Sequence, residues 1–343
     1  MTSNAANSPQ RAGVIAVTWE EHRRTRELCK WLGVPLYELC FSGPRLIRYA
    51  RLGLATIRLL WTARPRLVYV QNPSLVLALL VLCLKRVAGR YRVVMDAHNQ
   101  AITPFTYTHW PIPWLSRVAI RRADWTIVTN RALAEQVSAW GGRPLILPDR
   151  LPEPPIEPAP APKLEGVFQV MVIATYAADE PIAAIIEAAR QLGSSYRFFM
   201  TGRPTRLDPQ IRAKLPTNVT LTGFLEEHDY WRLMRDSHVT LDLTLQPNCL
   251  VCGAYESLSM RRPMILSGNP ASRDLFGQVA LFPDDYSPEA IAAAVARARE
   301  EYPEIVRRTE VGAQRFSERW AERAQRLRTL VEELRPPPGQ TAV

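Results

Sequence analysis

The sequence predicts an α/β protein made of two doubly wound halves, each built on a parallel sheet. Three observations carry that reading. Short apolar runs alternate with helix-like stretches from residue 13 to residue 140. A proline-dense segment, LPDRLPEPPIEPAPAP, then interrupts the pattern, with prolines at 148, 152, 154, 155, 158, 160 and 162. The same alternation resumes at residue 168. Strands that alternate with helices pair in parallel, because the helix is the crossover that returns the chain to the same end of the sheet. Proline lacks an amide donor and fixes φ, so the interruption reads as a stiff linker.

The elements of the first half follow in order. GVIAVTW (13–19) is a buried strand, 23–32 a helix and 36–39 a second strand. Residues 44–62 read as a helix that sets Arg45, Arg48, Arg51 and Arg58 on one face. Leu46, Ile47, Leu52, Leu54, Ile57, Leu60 and Trp61 fall on the other. RLVYVQNP (66–73) is a strand, and the apolar run SLVLALLVLCL (74–84) is too short to span a bilayer, so it reads as a buried helix. YRVVMDAHN (91–99) and ADWTIVTN (123–130) are strands, the first ending on polar residues, and a helix covers 131–140.

In the second half, strands are expected at 168–175, 196–202, 219–224, 239–244, 263–267 and 280–282. Helices are expected at 181–192, 227–237, 255–260 and 288–301. A basic amphipathic helix at 317–334 closes the pattern. The expected organisation is therefore a first domain over 1–150, a linker over 151–165 and a second domain over 166–316. A helix over 317–335 packs back towards the first domain, and 336–343 is a disordered tail.

Composition narrows the function. Of 343 residues 47% are hydrophobic and 22% charged, which is a folded globular chain. Cys249 and Cys252 have a metal-like spacing, but no second pair or histidine cluster accompanies them, so zinc is not expected. MTSNAANSPQ is polar and no secretory leader, which implies a cytoplasmic protein with reduced cysteines. The formal charge of +10 points to an anionic partner: nucleic acid, phospholipid or a phosphorylated ligand. The arginines are spread along the chain and no nucleic-acid module is recognisable, so nucleic acid is not the expected partner. Asp284 and Asp285 in FPDDYSP read as a turn and helix cap, not as metal ligands.

Open α/β sheets bind ligands outside the carboxyl ends of their strands. His98, Asn99, Thr175, Arg203 and Glu256 occupy such positions. Glu256 lies in the first turn of its helix, where an acid also simply complements the dipole.

The blocks MTGRPTRL, LPTNVTLTGFLEEHDYWRLMRDSHVTLDL and GAYESLSMRRPMILS stand in the order found in the donor domain of GT-B glycosyltransferases, and the second half resembles family 4 most. DAHN in the first half is also similar to the chitobiosyldiphosphodolichol mannosyltransferases. The resemblance implies the GT-B fold, two Rossmann-like domains facing each other across a cleft. It also implies a hexosyltransferase whose UDP- or GDP-linked nucleotide-sugar is a substrate, with no separate cofactor and no metal. Glu256 would accept hydrogen bonds from the ribose diol, and Gly253 and Ala254 would bring amides to the phosphates. Thr175, Tyr176, Arg203, Gly223, Phe224, Asn248, Tyr255 and Ser257 complete the implied donor site. His98 is the implied catalytic residue of a retaining enzyme, with Asn99 beside it on the acceptor side.

Two departures stand out. Asn248 replaces an acid usual in family 4, and ATYAADEP lacks the Arg and Lys often placed there for the diphosphate, leaving Arg203 as the nearest substitute. An inverting enzyme would need another base, for which Glu20, Glu21 and His22 are candidates. Phe105, Tyr107, Trp110 and Trp114 stand beside Arg117, Arg121 and Arg122. Together with the 44–62 helix they suit an anionic membrane surface and a lipid-linked saccharide acceptor. The protein would then sit peripherally at the inner face of the membrane. A nucleotide-sugar 2-epimerase-like enzyme and a basic nucleic-acid-binding protein are the alternatives.

Overall fold

The computed structural model describes residues 13–72, 74–97, 102 and 110–334. His98, Asn99, Phe105 and Tyr107 lie outside the described residues. The chain divides into two compact units, one of residues 1–150 with 320–343 and one of residues 151–319. Among the described residues no helix is long and apolar enough to cross a membrane.

The first unit holds β1 (Val14–Thr18), β2 (Leu36–Glu38), β3 (Leu67–Asn72), β4 (Arg92–Ala97), β5 (Trp125–Val128) and β6 (Pro144–Ile146). They form one parallel sheet in the order β2-β1-β3-β4-β5-β6. Its helices are α1 (Arg23–Leu32), α2 (Arg45–Ala63), α3 (Leu75–Leu84), α4 (Ile112–Arg122) and α5 (Arg131–Ala139). Strand β6 is not among the strands expected from the sequence: it opens on Pro144, and Pro148 at the head of the proline-dense segment follows two residues after it. Helix α4 emerges from what reads as an aromatic loop. Its prolines sit at the cap and in the first turn, where no amide donor is needed, so they open the helix instead of breaking it.

Helix α2 corrects an expectation. Its buried face is Leu52, Thr56, Leu59, Leu60 and Ala63. Ile47, Leu54 and Trp61, seven residues apart, stay 52%, 49% and 51% exposed, and Leu46 is 86% exposed. Steps of four and three residues put Arg51 and Arg58 on that same outer stripe. Arginines and apolar side chains therefore share one face, because the sheet is already covered by the other.

The second unit holds β7 (Phe168–Val172), β8 (Tyr196–Thr201), β9 (Val219–Gly223), β10 (Val239–Asp242), β11 (Met264–Leu266) and β12 (Ala280–Leu281). They form a parallel sheet in the order β12-β11-β10-β7-β8-β9. Its helices are α6 (Ile182–Leu192), α7 (Pro209–Arg212), α8 (Glu227–Asp236), α9 (Cys252–Ser259), α10 (Pro270–Phe276) and α11 (Pro288–Glu300). Helix α10 has strong local signals after all: Asn269 accepts from the Ser272 amide and Pro270 follows as the first residue. Asp285 does serve the start of α11, accepting from the amide and hydroxyl of the N-cap Ser287.

The proline-rich segment is fastened to the second unit. Ile156 packs on Met171, Trp231, Met234 and Met260. The fully buried Arg262 donates to the carbonyls of Ala159 at 2.9 Å, Pro160 at 3.3 Å and Arg235 at 2.8 Å. His238 stacks on Phe168 and reaches the Lys163 carbonyl through Nε2 at 3.1 Å.

The last helix, α12 (Tyr302–Leu334), is continuous over 33 residues, longer than the 317–334 expected. Gly312 in its middle is no break, since a Cβ there would lie 2.1 Å from Val279; the glycine lets the helix approach. From residue 320 the helix belongs to the first unit. There Trp320, Ala324, Leu327 and Val331 form the buried stripe. Trp320 meets the Trp31 ring edge-on at 5.2 Å and donates to the Pro148 carbonyl at 2.9 Å.

Candidate functional site

In the second unit the strand order reverses between β7 and β10: one side continues to β8 and β9, the other to β11 and β12. A crevice opens at the carboxyl ends of such a pair because the connections leave in opposite directions. The loops after β7 and β10 flank it and are bound to each other. Asp179 receives Thr244 Oγ1 at 2.7 Å and Gln246 Nε2 at 2.9 Å, and its carbonyl receives the Leu245 amide at 2.6 Å.

Helix α9 begins at this crevice. The Gly253 amide in its first turn donates to Asp242 Oδ2 at 3.1 Å. A Cβ at Gly253 would lie 2.3 Å from that oxygen and 2.5 Å from Ile173, so only glycine admits the contact. Asp242 keeps some exposed surface, but its carboxyl is enclosed. Burial, then the charges of Glu256 and Glu180, push it up to about 8, against the opposing pull of the Gly253 amide. Glu256, one turn along, accepts from the Tyr230 hydroxyl of α8 at 2.6 Å. Burial and the adjacent Glu256 charge raise the Tyr230 phenol well above its ordinary range, so it stays a donor.

The loop after β7 closes on Glu180. Its carboxylate accepts from the Thr175 amide at 3.0 Å, the Tyr176 amide at 2.8 Å and Thr175 Oγ1 at 2.6 Å. Tyr176 holds a left-handed φ of 57°. Gly202, after β8, packs so closely on this loop that a Cβ would lie 2.1 Å from the Ala174 carbonyl.

The expected donor residues separate into two sets. Glu256, Asn248, Thr175, Arg203 and Phe224 keep surface at the carboxyl end of the sheet. Asn248 takes a left-handed φ of 55°, a region asparagine tolerates. The Arg203 guanidinium lies 5.5 Å from the Phe224 ring, and Phe224, just past Gly223, is 70% exposed. Ala254, Tyr255 and Ser257 instead face inward. The Tyr255 ring packs edge-on against Phe276 and Phe316, and Ser257 bonds Thr240 Oγ1 and the Gly253 carbonyl. They fix α9 to the core.

In the first unit, Glu20 and Glu21 are exposed after β1, Glu21 pairing with Arg26 at 3.0 Å, and His22 is half-buried at the start of α1. Trp110 and Trp114 are 83% and 56% exposed. The buried Arg24 binds Asp96 at 3.0 Å, Asp149 and the Leu147 carbonyl, and Tyr69 donates to Asp96. This network fixes the end of β4, just before the position of His98.

The sequence singled out neither Asp242 nor Tyr230 for the site, and in ATYAADEP it offered Glu180 with Thr175 and Tyr176 where family 4 often has Arg and Lys. Asp242 had left a signal: it is the one charge in VTLDLT.

No family model matches the chain, and no curated protein sequence matches it. Solved structures do. HepE of Anabaena in complex with UDP and glucose superposes with a TM-score of 0.70 at 11% identity, covering 94% of this chain and 99% of that one. A sucrose-phosphate synthase of Thermosynechococcus elongatus gives 0.71 at 13% identity, over 94% and 98%. A trehalose-6-phosphate synthase studied for glycosyl transfer with retention gives 0.62 at 15%, over 86% and 79%. Identities this low speak for architecture alone, and the architecture they share with this chain is the GT-B fold with its two Rossmann-like domains.

Proposed function

We propose that the protein is a hexosyltransferase moving a hexose from a UDP- or GDP-linked sugar to the hydroxyl of a lipid-linked saccharide. The observation that carries this reading is Glu256, held by Tyr230 at the reversal of strand order, in the second turn of α9 and not in the first as the sequence suggested. A carboxylate there accepts two hydrogen bonds from a vicinal ribose diol, and charge-assisted bonds are the strong kind. The N-terminus of α9 favours the donor phosphates, and Arg203 supplies a cation as the diphosphate leaves. Arg203 on the exposed Phe224 also offers a flat surface to the nucleobase. The UDP and glucose in HepE and the retention studied in the trehalose-6-phosphate synthase support a retaining transfer from a uridine nucleotide sugar. His98 is the catalytic residue of this reading, on the sequence resemblance.

Acceptor and location rest on the first unit. The outer stripe of α2 mixes Arg51 and Arg58 with Ile47, Leu54 and Trp61, and Trp114 on α4 lies near Arg117. Such a face suits a headgroup layer, so we place the enzyme peripherally on an anionic membrane, towards polysaccharide or glycolipid assembly.

The test is a thermal-shift panel of UDP-, GDP- and ADP-sugars. A ligand that binds only the folded state raises the melting temperature, and UDP-glucose should do so. No shift with any nucleotide sugar at millimolar concentration would overturn the reading.

A further inference from the structure

We infer that Glu180 is an internal anion seated where the donor's phosphate binds, and that donor binding displaces it. The inference rests on the donor-site reading above. Two consecutive main-chain amides and one hydroxyl converge on the Glu180 carboxylate, at 2.6–3.0 Å. Successive amides turned towards one point by a left-handed residue form a concave seat for an anion, and phosphate oxygens fit such seats. Here Tyr176 is the left-handed residue. The seat lies in the loop directly after β7, beside the reversal of strand order, where open sheets take their ligands.

The surroundings set Glu180 apart from an ordinary loop brace. Asp179 is its neighbour in sequence and Glu256 flanks the crevice, so Glu180 adds negative charge beside other carboxylates, while Asp242 next to them holds its proton up to about pH 8. The amide of Gly253 is likewise taken by a carboxyl, that of Asp242. A diphosphate entering this crevice therefore meets amides already filled by the protein's own acids. Glu180 is the one free to give way. It is half-buried, sits in the loop before Pro181, and is no part of α6, so its side chain can turn out to solvent without breaking a helix. A buried, unpartnered Tyr176 hydroxyl on the same loop leaves a second arrangement open to it.

Competition between Glu180 and phosphate has a specific signature. It opposes ligands that carry the diphosphate and leaves the bare nucleoside alone. Glu180→Gln keeps an acceptor oxygen for the amides and removes the charge. Calorimetry with UDP and with uridine, on wild type and Glu180→Gln at one ionic strength, reads the difference. UDP should bind the variant roughly tenfold more tightly, in the range of an ordinary coupling between sites, with uridine unchanged. Glu180→Ala should behave alike for UDP if its melting temperature is held. Unchanged or weakened UDP binding by Glu180→Gln would show a structural brace and overturn the inference. Tightening of UDP and uridine together would overturn it as well. Failure of the donor-site reading looks different: neither wild type nor variant would bind UDP at all.

Discussion

Glu256 and Asp242 share one crevice, and each gives a residue-scale prediction. Removing the Glu256 carboxylate by Glu256→Ala should weaken nucleotide-sugar binding by about 1.5–3 kcal/mol, the scale of a hydrogen bond to a charged group. Titration calorimetry measures this, and an unchanged dissociation constant in a folded variant would remove Glu256 from the donor site. Asp242 is tested through pH. Its folded value of about 8 lies above the ordinary 3.8, so the folded protein holds a proton that the unfolded chain releases. The stability from this group is complete below about pH 4 and is lost as pH rises towards 8. Asp242→Asn is neutral throughout and still offers an oxygen to the Gly253 amide. Denaturation at pH 5 and pH 9 should therefore show the variant gaining on wild type at the higher pH. A gap that stays constant would mean that Asp242 ionises normally.

At the scale of elements, the proposed membrane contact rests on α2. Its inner face is spent on the sheet, and its outer stripe combines Ile47, Leu54 and Trp61 with Arg51 and Arg58. The protein should sediment with acidic vesicles and not with neutral ones. Each arginine near the surface contributes about 1 kcal/mol, and salt screens it. Arg51→Gln with Arg58→Gln should reduce sedimentation, and Trp61→Ala should reduce it further through lost apolar burial. Nucleotide affinity should not change, since every proposed donor contact lies in the other unit. Equal sedimentation with both vesicle types, insensitive to salt, would refute the electrostatic account.

Across the whole molecule, the fastening of the 151–165 segment to the second unit depends on proton placement. His238 accepts the Gln169 amide at Nδ1 at 3.0 Å and faces the Lys163 carbonyl with Nε2. That arrangement requires a neutral ring, and burial above all lowers its pKa below the ordinary 6.5. Its contribution is present above pH 6.5 and is lost as pH falls through the lowered folded value. This slope is opposite to that of Asp242, so the two partly offset each other in wild type. His238→Gln retains a donor and an acceptor without titrating. Between pH 7.5 and 5.5 its stability should fall less than that of wild type, as read by urea denaturation. Parallel losses would show that His238 does not govern the acid side.

What the sequence determined by itself was periodicity and punctuation. Apolar strands separated by helical stretches specified two parallel sheets, because alternation of that kind has few other packings. The seven prolines marked the interval between the two patterns, and the polar residues after strands pointed to the carboxyl ends of the sheets. Local signals also underlay α10 and α4, but prolines read equally as breaks or as first turns until a neighbour is packed. Tertiary structure alone decided which side chains look outward. Tyr255 and Ser257 flank Glu256 in sequence yet are buried, since a helix turns 100° per residue and only the sheet says which way is in. Tertiary structure also paired Tyr230 with Glu256 and Asp242 with the Gly253 amide, contacts between residues 26 and 11 positions apart. It closed the Thr175 and Tyr176 amides on Glu180 as well. Hydrogen bonds of this kind leave no period in the chain. They depend on where strands end relative to one another, and that is set by register and packing.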